Sequence, residues 1–138
     1  MADTVAFELV SPEKLLLSQD VEMVVLPAAE GDLGVLPGHS PVISTVRPGT
    51  ISVFKSGNVE QRIFVAGGFL EVTKERCTVL AEEVVNVSEI DIAAAKQLVS
   101  DFSDDVRTAK NAEDKAAAEA GLAVAVARVA AAEQPAYA

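Results

Sequence analysis

Apolar residues recur with a period of two through the first part of the chain. Val5, Phe7 and Leu9 alternate with polar or small residues, as do Val21, Met23 and Val25; Ile51 and Val53, then Ile63 and Val65, continue the pattern. Successive side chains of a strand point to opposite faces, so this alternation predicts strands with one buried face. The abundance of β-branched residues agrees with that reading. Ser11-Pro12, Pro27, Pro37-Gly38, Pro48-Gly49, Gly57-Asn58 and Gly67-Gly68 fall between the apolar runs and predict chain reversals. Gly57-Asn58, between Ile51–Phe54 and Val59–Val65, reads as a hairpin loop. Short strands with frequent turns, and no helical pattern between them, predict a β-sandwich or barrel over residues 1–87 rather than a doubly wound α/β fold.

After Val87 the period changes. Ile92, Ala95, Val99, Phe102 and Val106 are spaced by three and four, one face of an amphipathic helix. Ser88 is the expected N-cap, with Asp91 as its capping-box partner and Glu89 suiting the positive end of the helix. The polar stretch from Thr108 to Asp114 is expected to hold a turn. A second, alanine-rich helix follows to about Ala132, with Leu122, Val126 and Val129 as its larger apolar edge. Gly121 weakens its middle by about 1 kcal/mol relative to Ala, and Pro135 stops it. Residues 88–138 are therefore expected to form an antiparallel α-helical hairpin behind the all-β domain.

Charge and composition narrow the functional classes. The 138 residues are 50% hydrophobic but only 4% aromatic, so the core is expected to be aliphatic. A net charge of −10, without any Lys/Arg cluster, excludes the basic footprint that nucleic acid requires and disfavours adsorption to anionic lipid. No stretch approaches the ~20 apolar residues that span a bilayer, and no signal peptide is expected. Cys77 is the only cysteine; its apolar neighbours predict a buried, unreactive thiol and a reducing compartment.

Candidate chemistry is sparse. His39 is the only histidine, so no His-based metal site is expected. His39, Ser40 and Asp32 could be read as base, nucleophile and orienter, but neighbouring His and Ser seldom face one another and no GxSxG elbow is present. The glycines at 31, 34 and 38 match no phosphate-binding pattern and read as a tight loop. Glu82-Glu83 and Asp104-Asp105 read as solvated surface. Neither catalysis nor a cofactor is expected, which leaves binding or a mechanical role.

One segment is far more specific. Glu30-Gly31-Asp32-Leu33-Gly34-Val35-Leu36-Pro37-Gly38-His39-Ser40-Pro41 resembles the signature loop of the epsilon subunits of F-type ATP synthases. Arg47-Pro48-Gly49, Val65 to Val72 and Thr78-Val79-Leu80-Ala81 resemble further segments of that family, in the same order, and the two-helix tail extends the resemblance over essentially the whole chain. The resemblance implies a non-catalytic rotor subunit on the cytoplasmic face of a bacterial inner membrane. Its sandwich would bind the gamma subunit and rest on the ring of c subunits. Glu30, Asp32 and His39 would contact the ring, while Gly31, Gly34, Pro37 and Gly38 would shape the loop. In some members the hairpin reaches the beta subunits of the catalytic head and restrains hydrolysis, or binds ATP through an Ile/Leu-Asp-x-x-Arg-Ala motif. Here Ile90 and Asp91 match, but Ala94 replaces the arginine, so the charge that would hold phosphate is missing. An ATP-sensing regulator is thus the alternative, and a passive brace is the expected role of the hairpin.

Overall fold

The computed structural model describes residues 3–135 together with Tyr137. Ten strands come first: β1 (Val5–Val10), β2 (Leu15–Val21), β3 (Met23–Ala28), β4 (Gly31–Val35), β5 (Val42–Val46), β6 (Gly49–Lys55), β7 (Asn58–Val65), β8 (Gly67–Val72), β9 (Arg76–Glu82) and β10 (Val85–Asn86). A single 3-10 turn (Val87–Glu89) leads into helices α1 (Ile92–Thr108) and α2 (Ala112–Glu133). The strands form one hydrogen-bonded path, β10-β7-β6-β3-β5-β8-β9-β1-β2, with β4 added to β3. All pairings are antiparallel except that of β1 with β9.

Between β3 and β5 the path is held by one register pair, Ala28 with Val46. The path folds there into two layers. Their inner faces share one aliphatic core, with Val24, Leu26, Ile51, Val53, Ile63 and Val65 on one side and Phe7, Leu9, Leu70, Val72, Cys77 and Val79 on the other. Two of the connections that cross between layers open the next strand with glycine. Gly49 opens β6 after Pro48, and Gly67 and Gly68 open β8 after Ala66. The Gly67-Gly68 pair is therefore the start of a strand that changes layers, not a hairpin turn. Gly68 has φ +142, and a Cβ there would meet the Leu80 carbonyl oxygen, 2.0 Å away, on the neighbouring strand.

Other expectations shift in register. The β6–β7 loop is Ser56-Gly57, both with positive φ (55 and 79), and Asn58 already pairs with Lys55. Two consecutive positive φ values match the twist of a two-residue hairpin. Pro27 lies inside β3 opposite Asp32, rather than in a reversal. It is tolerated because β6 pairs only with residues 23–25 of β3 and β5 only with Ala28. The Val21, Met23, Val25 alternation also breaks, because Glu22 interrupts it between β2 and β3. Val24 and Leu26 enter the core, and Val25 is buried on the opposite face.

The hairpin covers that opposite face of the first layer. Phe64, between the core residues Ile63 and Val65, points outward and is fully buried with Val87 and Ala131, against Val124 and Ala127 of α2. Arg128 of α2 lies over the Phe64 ring, 5.2 Å from its centroid, and Nη2 donates to Glu83 Oε2 at 3.0 Å. Glu83 holds a left-handed backbone (φ 50) and is not merely solvated. Between the helices, Ala95, Ala118 and Ala125 are buried. Gly121, a weak point for helix propensity, has a packing role: a Cβ there would fall 2.4 Å from Phe102 Cε1. Val126 is half exposed rather than part of the buried edge.

The helix start also differs from expectation. Asp91 is the N-cap of α1 and accepts from the Ala94 amide at 3.0 Å. Ser88 instead sits in the 3-10 turn, itself capped by Asn86. An aspartate followed directly by the helix satisfies an orphan N–H as well as serine does, and the turn uses Val87 to bury an apolar side chain first.

Gly68→Ala is expected to lower stability by about 3 kcal/mol or more, combining backbone strain with a clash against main chain; denaturant unfolding measures it. Arg128→Ala removes a cation–π contact and a partly exposed ion pair, together worth about 1–2 kcal/mol. Hydrogen exchange should show α2 amides opening faster in that variant while the β1, β8 and β9 amides keep their protection.

Candidate partner-binding surface

The second layer has an outer face that none of the described residues covers. Adjacent residues in a strand point to opposite sides, so each consecutive apolar pair puts one member outside. Leu9 enters the core and Val10 faces out; Leu70 enters and Phe69 faces out; Val79 enters and Leu80 faces out. Register aligns these outward residues. Leu15 pairs with Val10, Val10 with Leu80, Leu80 with Phe69, and Phe69 with Thr45. The result is an apolar row across β2, β1, β9 and β8 that ends at Thr45 of β5. Leu15 is 54% exposed, Leu80 43% and Phe69 59%. The neighbouring row is mostly polar: Glu8, Thr78 and Glu71 lie side by side in register and meet Ile43 of β5, 78% exposed, with Glu8 paired to Arg76 at 3.1 Å.

An apolar strip rimmed by polar residues is the usual mark of a protein-binding surface. Its signal in the sequence was the adjacent apolar pairs, which simple alternation does not predict.

The loop singled out in the sequence takes a defined shape. Glu30 is exposed in the turn joining β3 to β4, and Gly31 (φ 145) follows it. Leu36 to His39 form a β-turn closed by the His39 amide on the Leu36 carbonyl at 3.2 Å. Pro37 and Gly38 (φ 80) occupy its middle positions, as a type II turn requires. Gly34, within β4, has open space where a Cβ would stand, so it imposes no close approach. Beside β4 lies an open groove of about 510 Å³ lined by Glu30, Asp32, Leu33, Val42 and Ile43 among others.

Asp32 does not point freely outward. Arg47 Nη2 donates to its Oδ1 at 2.5 Å and the Tyr137 hydroxyl to its Oδ2 at 2.6 Å. Burial alone would raise the Asp32 pKa, but the Tyr137 hydrogen bond and the Arg47 hydrogen bond and charge outweigh it and hold it below the usual carboxylate value. His39 turns its Nδ1 to the Ser40 carbonyl oxygen at 2.6 Å. Asp32 and His39 are thus each engaged elsewhere, and His39, Ser40 and Asp32 form no nucleophile relay.

Cys77 is fully buried, and burial pushes its thiol up to about 12, so it stays protonated at neutral pH. Around the position that would hold phosphate, Asp91 is used as a helix cap and Arg128 is held by Glu83. With Ala94 uncharged, these groups form no anion-binding set. Among the described residues, no helix is long and apolar enough to cross a membrane.

Comparisons with known proteins agree with this architecture. The family model for the ATP synthase delta/epsilon chain β-sandwich domain matches residues 4–87. The ATP synthase epsilon chain of Rhodospirillum rubrum is 49% identical over 131 residues, covering 95% of this chain and 98% of that one. That of Maricaulis maris is 46% identical, covering 89% and 92%. Among solved structures, a chain of the Euglena gracilis mitochondrial ATP synthase (OSCP/F1/c-ring) superposes with a TM-score of 0.84 at 20% identity, over 95% of this chain and 82% of that one. A chain from the central stalk and c-ring of the Tetrahymena thermophila mitochondrial enzyme gives 0.65 at 14% identity, over 93% and 96%. These two share the fold. The sandwich match and the near full-length relatives together place the chain in the ATP synthase epsilon chain family.

Proposed function

We propose that this chain is a non-catalytic rotor subunit of a proton-translocating F-type ATP synthase, held at the cytoplasmic face of a bacterial inner membrane by its partners. It would link the gamma subunit to the ring of c subunits, so that ring rotation turns gamma and drives ATP synthesis in the catalytic head. In this division of labour, residues 1–87 carry the partner surfaces, and the hairpin of residues 88–138 braces the sandwich. The observation that carries the reading is the apolar row Leu15–Val10–Leu80–Phe69. It runs across four neighbouring strands of one layer and is left open by the described residues, while the opposite layer is covered by the chain's own helices.

We assign this row to gamma. A sheet face suits a rigid helical partner, and removing these side chains from water would contribute about 25 cal/mol per Å² of apolar area. The turn around Glu30 and the end of the Leu36–His39 turn remain the surfaces for the c ring, with Glu30 offering an exposed carboxylate to a basic loop. Asp32 and His39 would act there mainly by holding the loop, since both make internal bonds. The structural neighbours support this placement by kinship, since they come from assemblies described by their c-ring or central stalk.

The test is binding to purified gamma. The native chain should co-elute with gamma at equal stoichiometry. Phe69→Asp and Leu80→Asp should each raise Kd at least about tenfold, as loss of a central apolar anchor does, with unchanged unfolding midpoints because both side chains are exposed. Native-like affinity in both variants would move the interface elsewhere. No complex even for the native chain at micromolar concentration would overturn the rotor reading.

A further inference from the structure

Beyond the end of α2, one residue crosses back over the sandwich. Tyr137 makes three contacts with three different strands. Its hydroxyl donates to Asp32 Oδ2 on β4 at 2.6 Å. Its ring meets the edge of Phe54 on β6, with centroids 5.9 Å apart and planes at 61°. Its carbonyl accepts from Arg62 Nη2 on β7 at 3.2 Å. Arg47 completes the arrangement by spanning from Asp32 to the Ala28 carbonyl, at 2.7 Å, in β3.

Beneath this tie lies an unusual stretch of outer sheet face. Val25 and Ser52 are opposite each other in register and are 7% and 0% exposed, although their flanking residues are the ones that enter the sandwich core. Burial on the outer face requires a cover, and α2, which packs on β6, provides one. The Ser52 hydroxyl has no protein partner there. Burying an unpartnered hydroxyl opposes docking, so the cover must be held from elsewhere.

We propose that Tyr137 is a latch that holds the hairpin against the sandwich and, through Asp32, makes the state of the hairpin felt at the β3–β4 turn. With the latch closed, both carboxylate oxygens of Asp32 are occupied, Phe54 is covered and the turn is cross-braced by Arg47. With the hairpin lifted, the phenol leaves and one oxygen of Asp32 becomes free to accept a hydrogen bond from outside. The consequence for a docked ring rests on the reading of that turn given above; the latch itself does not.

The charged and titratable groups around the phenol are Asp32, Arg47 and Arg62. The Asp32 hydrogen bond, with burial and the Asp32 charge adding to it and Arg47 opposing, raises the Tyr137 pKa above 10.0. A raised phenol pKa contributes stability that is complete below pH 10.0 and is lost as pH rises through the native value. The lowered Asp32 pKa works in the opposite sense. Its contribution is present above 3.8 and is lost as pH falls through the native value.

The chain contains one tyrosine and no tryptophan, so phenolate absorbance reports on Tyr137 alone. Titrating the full chain should give a midpoint above that of free tyrosine, about 10, and Asp32→Asn should bring it back down. Identical midpoints near that value in both proteins would overturn the hydrogen bond. Hydrogen exchange of the α2 amides supplies the second measurement. Tyr137→Ala should speed their opening roughly 5–30-fold, and Tyr137→Phe, which keeps the ring against Phe54, by less. Unchanged α2 exchange in Tyr137→Ala would overturn the latch. Neither measurement requires gamma or the c ring, so failure of the rotor reading and failure of the latch are read separately.

Discussion

Each strand layer has two faces, and both need a partner or water. The inner faces close on one aliphatic core in which Phe7, Leu9, Leu26, Ile51, Val65, Leu70 and Val79 are almost wholly excluded from solvent. The outer faces are then the open question of the molecule. Both carry apolar side chains beyond what an isolated antiparallel layer would expose to water. One is covered from within the chain, by α2 over Phe64 and against β6, where Ser52 is buried. The other, with Leu15, Leu80 and Phe69, is covered by none of the described residues.

The two covers differ in kind. The inner core is one continuous aliphatic cluster. The hairpin is attached by a smaller apolar cluster, an arginine shared between a ring and a carboxylate, and a polar tie at the chain end. Contacts of this type are modest and separable. Within the hairpin, alanines at 95, 118 and 125 and the glycine at 121 allow close helix–helix packing, with Phe102 seated where a larger residue would not fit. The hairpin is therefore packed more closely within itself than against the sandwich.

Much of this was legible in the residues. Period-two alternation marked Val5, Phe7, Leu9, Ile51, Val53, Ile63 and Val65 as core, and all of them are. The change of period after Val87 marked the helices, and the polar stretch after Thr108 marked the turn between them, which Asn111 caps. The Pro37-Gly38 turn was legible because proline and a glycine of positive φ admit few other shapes. These are local matters, decided within a few residues by backbone sterics and side-chain spacing.

The remainder depended on distant neighbours. Alternation says that one of Leu9 and Val10, or one of Phe69 and Leu70, faces out; only strand order lines up Val10, Leu80 and Phe69 into a surface. Gly121 reads as a flaw in a helix until Phe102 is seen resting on it. Asp32 reads as a free charge in a loop, yet its partners come from 15 and 105 residues away. The sequence by itself determined which segments are strands and helices, which residues are apolar enough to be buried, and the family to which the signature loop points. Which outer face is covered and which stays open was settled only in three dimensions, because that depends on where α2 and Tyr137 come to rest, and such long-range contacts leave no period in the chain to be read.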